Sequence, residues 1–188
     1  MNKFISRIAA PLLVLGALAG PVAAENRSNI NAGIGVFGSA NEELLDYYSG
    51  LYGGRIGLDS KISKDLRFTT NLSAFKKKRT KNNVESEVTF VQVEPMIQYV
   101  GEEAGGSNLY CGIGLSFVQA SESANYKDKT LENEANSLGL VICGGAEFYL
   151  DTDWGGFLDL SYRAAKSDEV NLGGFSATTG VKYFFGKK

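Results

Sequence analysis

Histidine is absent from all 188 residues, and that absence excludes more chemistry than any other feature of the composition. Without an imidazole there is no Ser–His or Asp–His pair to activate a nucleophile or relay a proton. Cysteine is nearly as scarce. Cys111 and Cys143 permit at most one disulfide, and two thiols without histidine are too few ligands for a metal site. Three prolines occur, and of these only Pro95 lies beyond the N-terminal region. Long apolar runs are missing as well. After residue 19 no segment approaches the roughly 20 residues a spanning helix needs, so any membrane crossing falls to strands. Nor is there an excess of positive charge to suggest nucleic acid as a partner.

The one apolar run, Ile8–Ala19, follows Lys3 and Arg7 and leads to the small residues Val22, Ala23 and Ala24. This is the pattern of a secretory signal peptide, residues 1–24, cut after Ala24. A membrane-spanning helix is the competing assignment, opposed by Pro11, Gly16, Gly20, Pro21 and the short apolar length. Neither cysteine stands at the cleavage point, so a lipoprotein anchor is excluded. The remaining residues, 25–188, predict one domain. Without Lys3 and Arg7, 17 basic residues face 21 acidic ones, a net charge of −4.

What the chain has is alternation. In its last stretch Phe175, Ala177, Thr179, Val181, Tyr183 and Phe185 share one face; Gly174, Ser176, Thr178, Gly180, Lys182 and Phe184 share the other. This is a period-2 strand with a bulky side and a mostly small, polar side. A terminal strand of this kind needs a partner, because an unpaired apolar edge aggregates. Pairing it with the first strand closes a barrel whose outer face meets lipid. Similar alternation predicts strands near Ile30–Gly38, Tyr47–Ser60, Leu66–Lys76, Ser86–Val100, Asn108–Val118, Ala135–Leu150 and Gly156–Ala164. With the closing strand the count is eight: an all-β, eight-stranded antiparallel up-and-down transmembrane β-barrel. Pro95 calls for a bulge or an unpaired N–H position. Short turns after even strands and longer connections after odd ones fit periplasmic turns and outer loops.

A soluble barrel of lipocalin type would put the same apolar face inside. Its other face would then carry long solvated side chains; here that face is mostly Gly, Ser, Thr and Asn, which suits a narrow lumen. Aromatics also gather in two groups near strand ends, Tyr47, Tyr48, Tyr52 and Phe117, and Tyr99, Tyr149, Trp154, Tyr183 and Phe185, as at two membrane interfaces. The inward face holds Arg55, Asp59, Arg67, Glu94, Glu147, Asp159, Arg163 and Lys182. Arg55, Glu94 and Arg163 are expected near mid-height, with Glu147, Asp159 and Lys182 below them, as one lumen ion-pair network; Asp59 and Arg67 could instead meet solvent at the rims. Cys111 and Cys143 fall on opposite faces, which predicts two unbridged thiols. Lys76-Lys77-Lys78-Arg79-Thr80-Lys81, at the end of the third strand and into the connection after it, is the sharpest charge feature. It is either a contact for anionic lipopolysaccharide or a host polyanion, or a solvated loop or flank holding the third strand at the interface.

The closing run Gly180-Val181-Lys182-Tyr183-Phe184-Phe185 resembles the C-terminal assembly signal of bacterial outer-membrane barrels, where Gly is followed by alternate aromatics. With the glycines of the fifth strand and the Tyr149–Arg163 stretch, nearly the whole mature chain resembles the small outer-membrane β-barrels of OmpA-like and surface-antigen type. The resemblance implies export to the cell outer membrane. It implies lipid and lipopolysaccharide as surroundings, and the barrel-assembly machinery as a partner through Gly180, Tyr183 and Phe185. Enzymes of this architecture, such as lipid A deacylases, palmitoyltransferases and omptin-type proteases, employ a histidine; no enzymatic activity and no cofactor are expected here. Asp151 and Asp153 are expected as turn formers rather than an acid–base pair. Two functions remain in view. One is a barrel with a plugged polar lumen, anchoring surface loops for envelope-structural or adhesion roles, with a host or envelope ligand at Lys77, Lys78, Arg79 and Lys81. The other is a small-solute porin or lateral-diffusion transporter.

Overall fold

In the computed structural model the described residues are 28–40, 50–81, 84–101, 106–126, 129–167 and 170–185. They form eight strands: β1 (Ser28–Ser39), β2 (Leu51–Lys61), β3 (Leu66–Lys81), β4 (Val84–Val100), β5 (Ser107–Tyr126), β6 (Lys129–Tyr149), β7 (Trp154–Ala165) and β8 (Gly174–Phe185). Each pairs antiparallel with the next, and β8 returns to β1 to close the barrel. The predicted signal peptide, the loop acids Glu42, Glu43 and Asp46, and Tyr47 and Tyr48 lie outside the described residues.

Closure has a measurable stagger. The registered neighbours Ser28, Ser60, Phe68, Ile97, Ile113, Ile142, Tyr162 and Phe175 lead once around the wall and return to Gly38, ten residues along β1 from the start. With about 3.3 Å per residue and about 4.8 Å between strands, ten residues over eight strands tilt the wall by about 40°. At the seam Gly33 faces Gly180 on the lumen side. A Cβ on Gly180 would fall 2.1 Å from the Ala32 carbonyl oxygen, so no larger residue fits there without moving the seam.

The outward face carries the branched and aromatic residues that alternation assigned to it, including Ile30, Ile34, Ile56, Ile97, Leu109, Ile113, Leu140, Ile142, Leu158 and Leu160, all exposed. Aromatics border this band. Trp154 packs on Tyr183 with ring centroids 5.0 Å apart, and Tyr162 on Phe175 at 4.6 Å. Trp154 and Tyr162 lie eight residues apart on β7, as do Tyr183 and Phe175 on β8. At the 40° tilt that spacing is roughly 20 Å along the barrel axis. Tyr149 departs from the expected belt. It points inward, packs on Phe184 and takes a hydrogen bond from Asn108.

Two expected connections turn out to be strand. Lys77–Lys81 continues β3, with Lys77 opposite Val88, Arg79 opposite Ser86 and Lys81 opposite Val84. Of the predicted connection 119–134, residues 119–126 and 129–134 are likewise the upper part of β5 and β6, paired without interruption to Tyr126 and Lys129. In both stretches the side chains are mostly polar on both faces, as in a loop, and the backbone hydrogen bonds that make them strand leave no trace in hydropathy. Pro95 causes no bulge. It pairs with Thr70 on β3, while the β4–β5 ladder lapses at Glu94 and Pro95 and resumes at Met96 opposite Gly114 in the same register. The unpaired N–H position is therefore the accommodation. In the turn before β7, the Asp151 carboxylate accepts the backbone N–H groups of Asp153 and Trp154, both at 2.7 Å. Cys111 lies opposite Gly144 and faces out; Cys143 lies opposite Gly112 and faces in, and both are free.

Because β8 completes the wall, removing its outward aromatics should impair assembly. Replacing Tyr183 and Phe185 by Ala forfeits roughly 1.5–3 kcal/mol of apolar transfer per side chain. Membrane-inserted yield and heat-modifiable gel mobility are the readouts, and undiminished values for the double variant would disprove the role.

Candidate functional site

Among the described residues, the lumen is the one place where charges are buried in number. All eight inward charges predicted from alternation are sequestered, Asp59 and Arg67 included, so neither sits at a solvated rim. Their direct ion pairs do not form one network, although Tyr110 links the two lower groups. They sort into three groups, each with equal numbers of cations and anions.

The lowest group draws on β2, β3, β6 and β8. Lys182 Nζ donates to Asp59 at 3.0 Å and to Glu147 at 2.7 Å, and Arg67 Nη1 reaches Glu147 at 2.6 Å and Asp59 at 3.8 Å. Gln98 on β4 orients Arg67 by accepting its Nε–H at 2.6 Å. The Tyr110 ring lies beneath both cations, 4.6 Å from the Arg67 guanidinium and 5.4 Å from Lys182 Nζ.

The second group joins β2 to β7. Arg55 Nη1 donates to Asp159 at 2.8 Å, the Tyr110 hydroxyl donates to the other oxygen of Asp159 at 2.9 Å, and the guanidinium rests 4.7 Å over Phe157. Arg55 therefore pairs with Asp159 and not with Glu94, its expected neighbour at mid-height. The third group joins β4 to β7. Arg163 grips Glu94 through Nε and, at 3.0 Å, through Nη2, a two-pronged pair that holds a carboxylate well. Ser116 also donates to Glu94, and Ser161 and Ser176 accept from Arg163.

Above this third group the lumen turns apolar. Phe37, Phe75 and Phe90 converge there with centroids 5.6 Å (Phe37–Phe75) and 5.1 Å (Phe37–Phe90) apart. Leu51, Val88, Val118 and Leu172 complete the layer, all buried. Sequence analysis missed it, having described the inward face as small and polar. The signal was present: Phe37 shares parity with Gly33 and Gly35, Phe75 with Asn71 and Ser73, and Phe90 with Gln92.

No protein-family model matches the chain, and no curated protein matches it. Solved structures do. Neisserial surface protein A (NspA) superposes with a TM-score of 0.67 at 16% identity, over 86% of this chain and 100% of that one. Ail, the attachment invasion locus protein of Yersinia pestis, in complex with the heparin analogue sucrose octasulfate, gives 0.63 at 14% identity, over 86% and 99%. A major outer membrane protein from Thermus thermophilus gives 0.62 at 12% identity, over 85% and 98%. The chain has the fold of the small eight-stranded outer-membrane β-barrels. Identities this low carry the fold and nothing finer.

In the frame of a small outer-membrane barrel, the end with the hairpins β3–β4 and β5–β6 stands above the upper aromatic border. The basic residues divide there by parity. Lys76 and Lys78 face outward and share Glu87, at 2.6 and 3.2 Å. The hydrogen bond from Lys76 holds the Glu87 carboxyl below the usual carboxylate range. Lys77, Arg79 and Lys81 alternate onto the other face, although the Lys77 side chain turns back so that Nζ lies 5.1 Å over the outward-facing Tyr52 ring. The charges expected in a loop are thus spread over two faces of a rigid ladder. Tyr183 and Phe185 of the C-terminal pattern are half-exposed on the outer wall, whereas Gly180 lines the lumen. On the outer wall an apolar groove of about 560 Å³ runs between Val36, Ile142, Leu160, Tyr162 and Phe175. The ladders beneath it, Cys143–Ser161 and Ser161–Ser176, are unbroken.

Removing one member of a buried pair strands the other. Glu94→Ala should lower stability by about 3–5 kcal/mol, because Arg163 keeps only serine hydroxyls. Arg55→Ala should cost less, since Tyr110 still binds Asp159. Replacing Glu94 and Arg163 together by Gln and Met should recover most of the loss. Denaturant unfolding of refolded protein in micelles measures all three; equal stability of Glu94→Ala and the unmodified chain would refute the assignment.

Proposed function

We propose that this chain is an integral protein of the cell outer membrane, exported by its N-terminal signal peptide, whose closed lumen makes it an anchor for surface hairpins rather than a pore. Its role is envelope-structural or adhesive. The observation that carries this proposal is the occupancy of the lumen: three charge-balanced groups and an aromatic layer follow one another along the axis. Eight strands leave an interior only wide enough for side chains. Ion pairs that satisfy one another have no reason to part for a passing solute. No histidine is available for the catalysis that other barrels of this architecture perform, which supports a non-enzymatic role.

The hairpins supply the interaction surface. Lys77, Arg79 and Lys81 on β3, with Lys76 and Lys78 behind them, suit an anionic partner such as lipopolysaccharide phosphates or a host polyanion. That Ail was solved with a heparin analogue is consistent with this chemistry for the fold. Tyr183 and Phe185, with Gly180 at the seam, are proposed as the contact with the barrel-assembly machinery.

Planar-bilayer recording separates anchoring from transport. The unmodified protein should give no stable conductance in KCl; reproducible open channels would move the assignment to a small-solute porin. For the surface, Lys77→Ala/Arg79→Ala/Lys81→Ala should weaken binding to immobilised heparin at least tenfold, and binding by the unmodified protein should fall as salt rises. Equal affinities would remove β3 from the interaction.

A further inference from the structure

The buried polar groups of the lumen are not treated alike on its two sides. On β6, β7 and β8, Glu147, Asp159, Ser161, Arg163, Ser176 and Lys182 all bond to protein partners. On the opposite wall Asp59, Arg67 and Glu94 are likewise paired, but six buried polar atoms have no protein partner: Asn31 Oδ1 on β1, Arg55 Nε on β2, Asn71 Oδ1 and Ser73 Oγ on β3, and both amide atoms of Gln92 on β4. Ser28, Asn29, Ser60 and, across on β5, Asn108 add further such atoms at the end that holds the chain termini.

These atoms are ordered in height. The stagger places Ser28, Asn29 and Ser60 lowest, then Asn31, then Asn71 and Arg55, then Ser73, and Gln92 highest. Asn31 and Asn71 both lie over Gly57, where an added Cβ would come within 2.3 Å of Asn71 Oδ1 and 2.7 Å of Asn31 Nδ2. Below them a polar vestibule of about 200 Å³, lined by Asn29, Asp59, Arg67, Asn108 and Glu147, opens at the terminal end. Immediately above Gln92 on the same strand face is Phe90, and Phe75 is registered opposite Phe90. The side chains that meet at that level, Phe37, Phe75, Phe90, Leu51, Val118 and Leu172, carry no hydrogen-bonding group, and buried polar side chains return only above them, at Ser39 and Ser86.

Native proteins rarely leave so many buried polar atoms unsatisfied; where protein does not serve them, ordered water does. We infer that water occupies the β1–β4 side of the lumen from the terminal-end vestibule up to Gln92, as a blind column, and that the Phe37–Phe75–Phe90 layer is the seal that ends it. The ion pairs then hold the wall together and satisfy its charges, while the rings block passage. An apolar constriction excludes water because it returns no hydrogen bonds to it. This inference rests on the closed-lumen proposal, and it assigns the closure to three residues.

The test uses the full mature chain, unmodified and as Phe75→Ala/Phe90→Ala, in planar bilayers with KCl on both sides. The unmodified protein should be silent and the double variant should open discrete channels. Openings in the unmodified protein would overturn the closed-lumen proposal and this seal with it. Silence from a double variant that retains heat-modifiable mobility would overturn the seal alone. A second measurement covers failure of the variant to fold. In micelles, NMR cross-relaxation from water to the side-chain amides of Asn71 and Gln92 in the unmodified protein should be present. Its absence would overturn the water column.

Discussion

Closure between β1 and β8 is the constraint on which the rest of this molecule depends. In hydrocarbon no water is at hand to satisfy a free backbone N–H or C=O, so a sheet can cross only if its first and last strands pair. Twelve registered positions join Ser28–Ser39 to Gly174–Phe185. The ten-residue stagger of that closure sets the tilt. The tilt in turn decides which side chains from distant strands share a level inside. Arg55 and Glu94 come to nearly the same level by it, yet the Arg55 side chain reaches across the lumen to the lower-lying Asp159 and leaves Glu94 to Arg163.

The interior is costly chemistry made tolerable by pairing. An isolated charge taken out of water costs several kcal/mol, and an opposite charge offsets this only with good geometry and its other hydrogen bonds satisfied. The three groups approach that condition in different ways, the second with Arg55 Nε left without a protein partner. Arg163 and Glu94 match as fork to carboxylate and are finished by serines. Arg55 and Asp159 share Tyr110. The lowest group spreads two cations over two anions. Each group is neutral by itself, and Tyr110 joins the field of the lowest group to that of the second.

Much of this was legible in the amino-acid sequence, because a strand has a period of two and one parity assignment fixes both faces at once. Ile34, Ile56 and Leu160 outside, and Arg163, Glu94 and Lys182 inside, follow from that period alone. Two things were not legible. Strand ends above the apolar band, at Lys77–Lys81 and at 119–134, are polar on both faces and look like loops, because the backbone ladder that holds them is invisible in side-chain chemistry. The aromatic layer was overlooked for the opposite reason. Phe37, Phe75 and Phe90 stand at the ends of the apolar band, where aromatics are expected to face lipid, and only strict continuation of parity turns them inward. Pairing partners inside the lumen were also beyond reach, since they depend on how each long side chain extends across the lumen and not just on its face or level.

The buried pairs have a bearing on the order in which the chain can fold. Asp59 and Lys182 are separated by 123 residues, Arg55 and Asp159 by 104, and Glu94 and Arg163 by 69. None of these contacts is available within a single hairpin, whereas each wall strand finds its neighbour locally. Wall and interior therefore mature on different schedules. Hairpins can accumulate one at a time, but apart from the 3.8 Å contact of Arg67 with Asp59 inside the β2–β3 hairpin, the charges of β2, β3 and β4 find their partners only when β6, β7 and β8 arrive. Non-local contacts of this kind slow folding, because the chain must lose its loop entropy before they form. Until then the nascent sheet carries unneutralised carboxylates and guanidinium groups that favour water. The last strand thus both completes the wall and, through Lys182, neutralises the acids waiting on β2 and β6, so that a sheet arrested short of it is electrostatically unfit to remain in lipid.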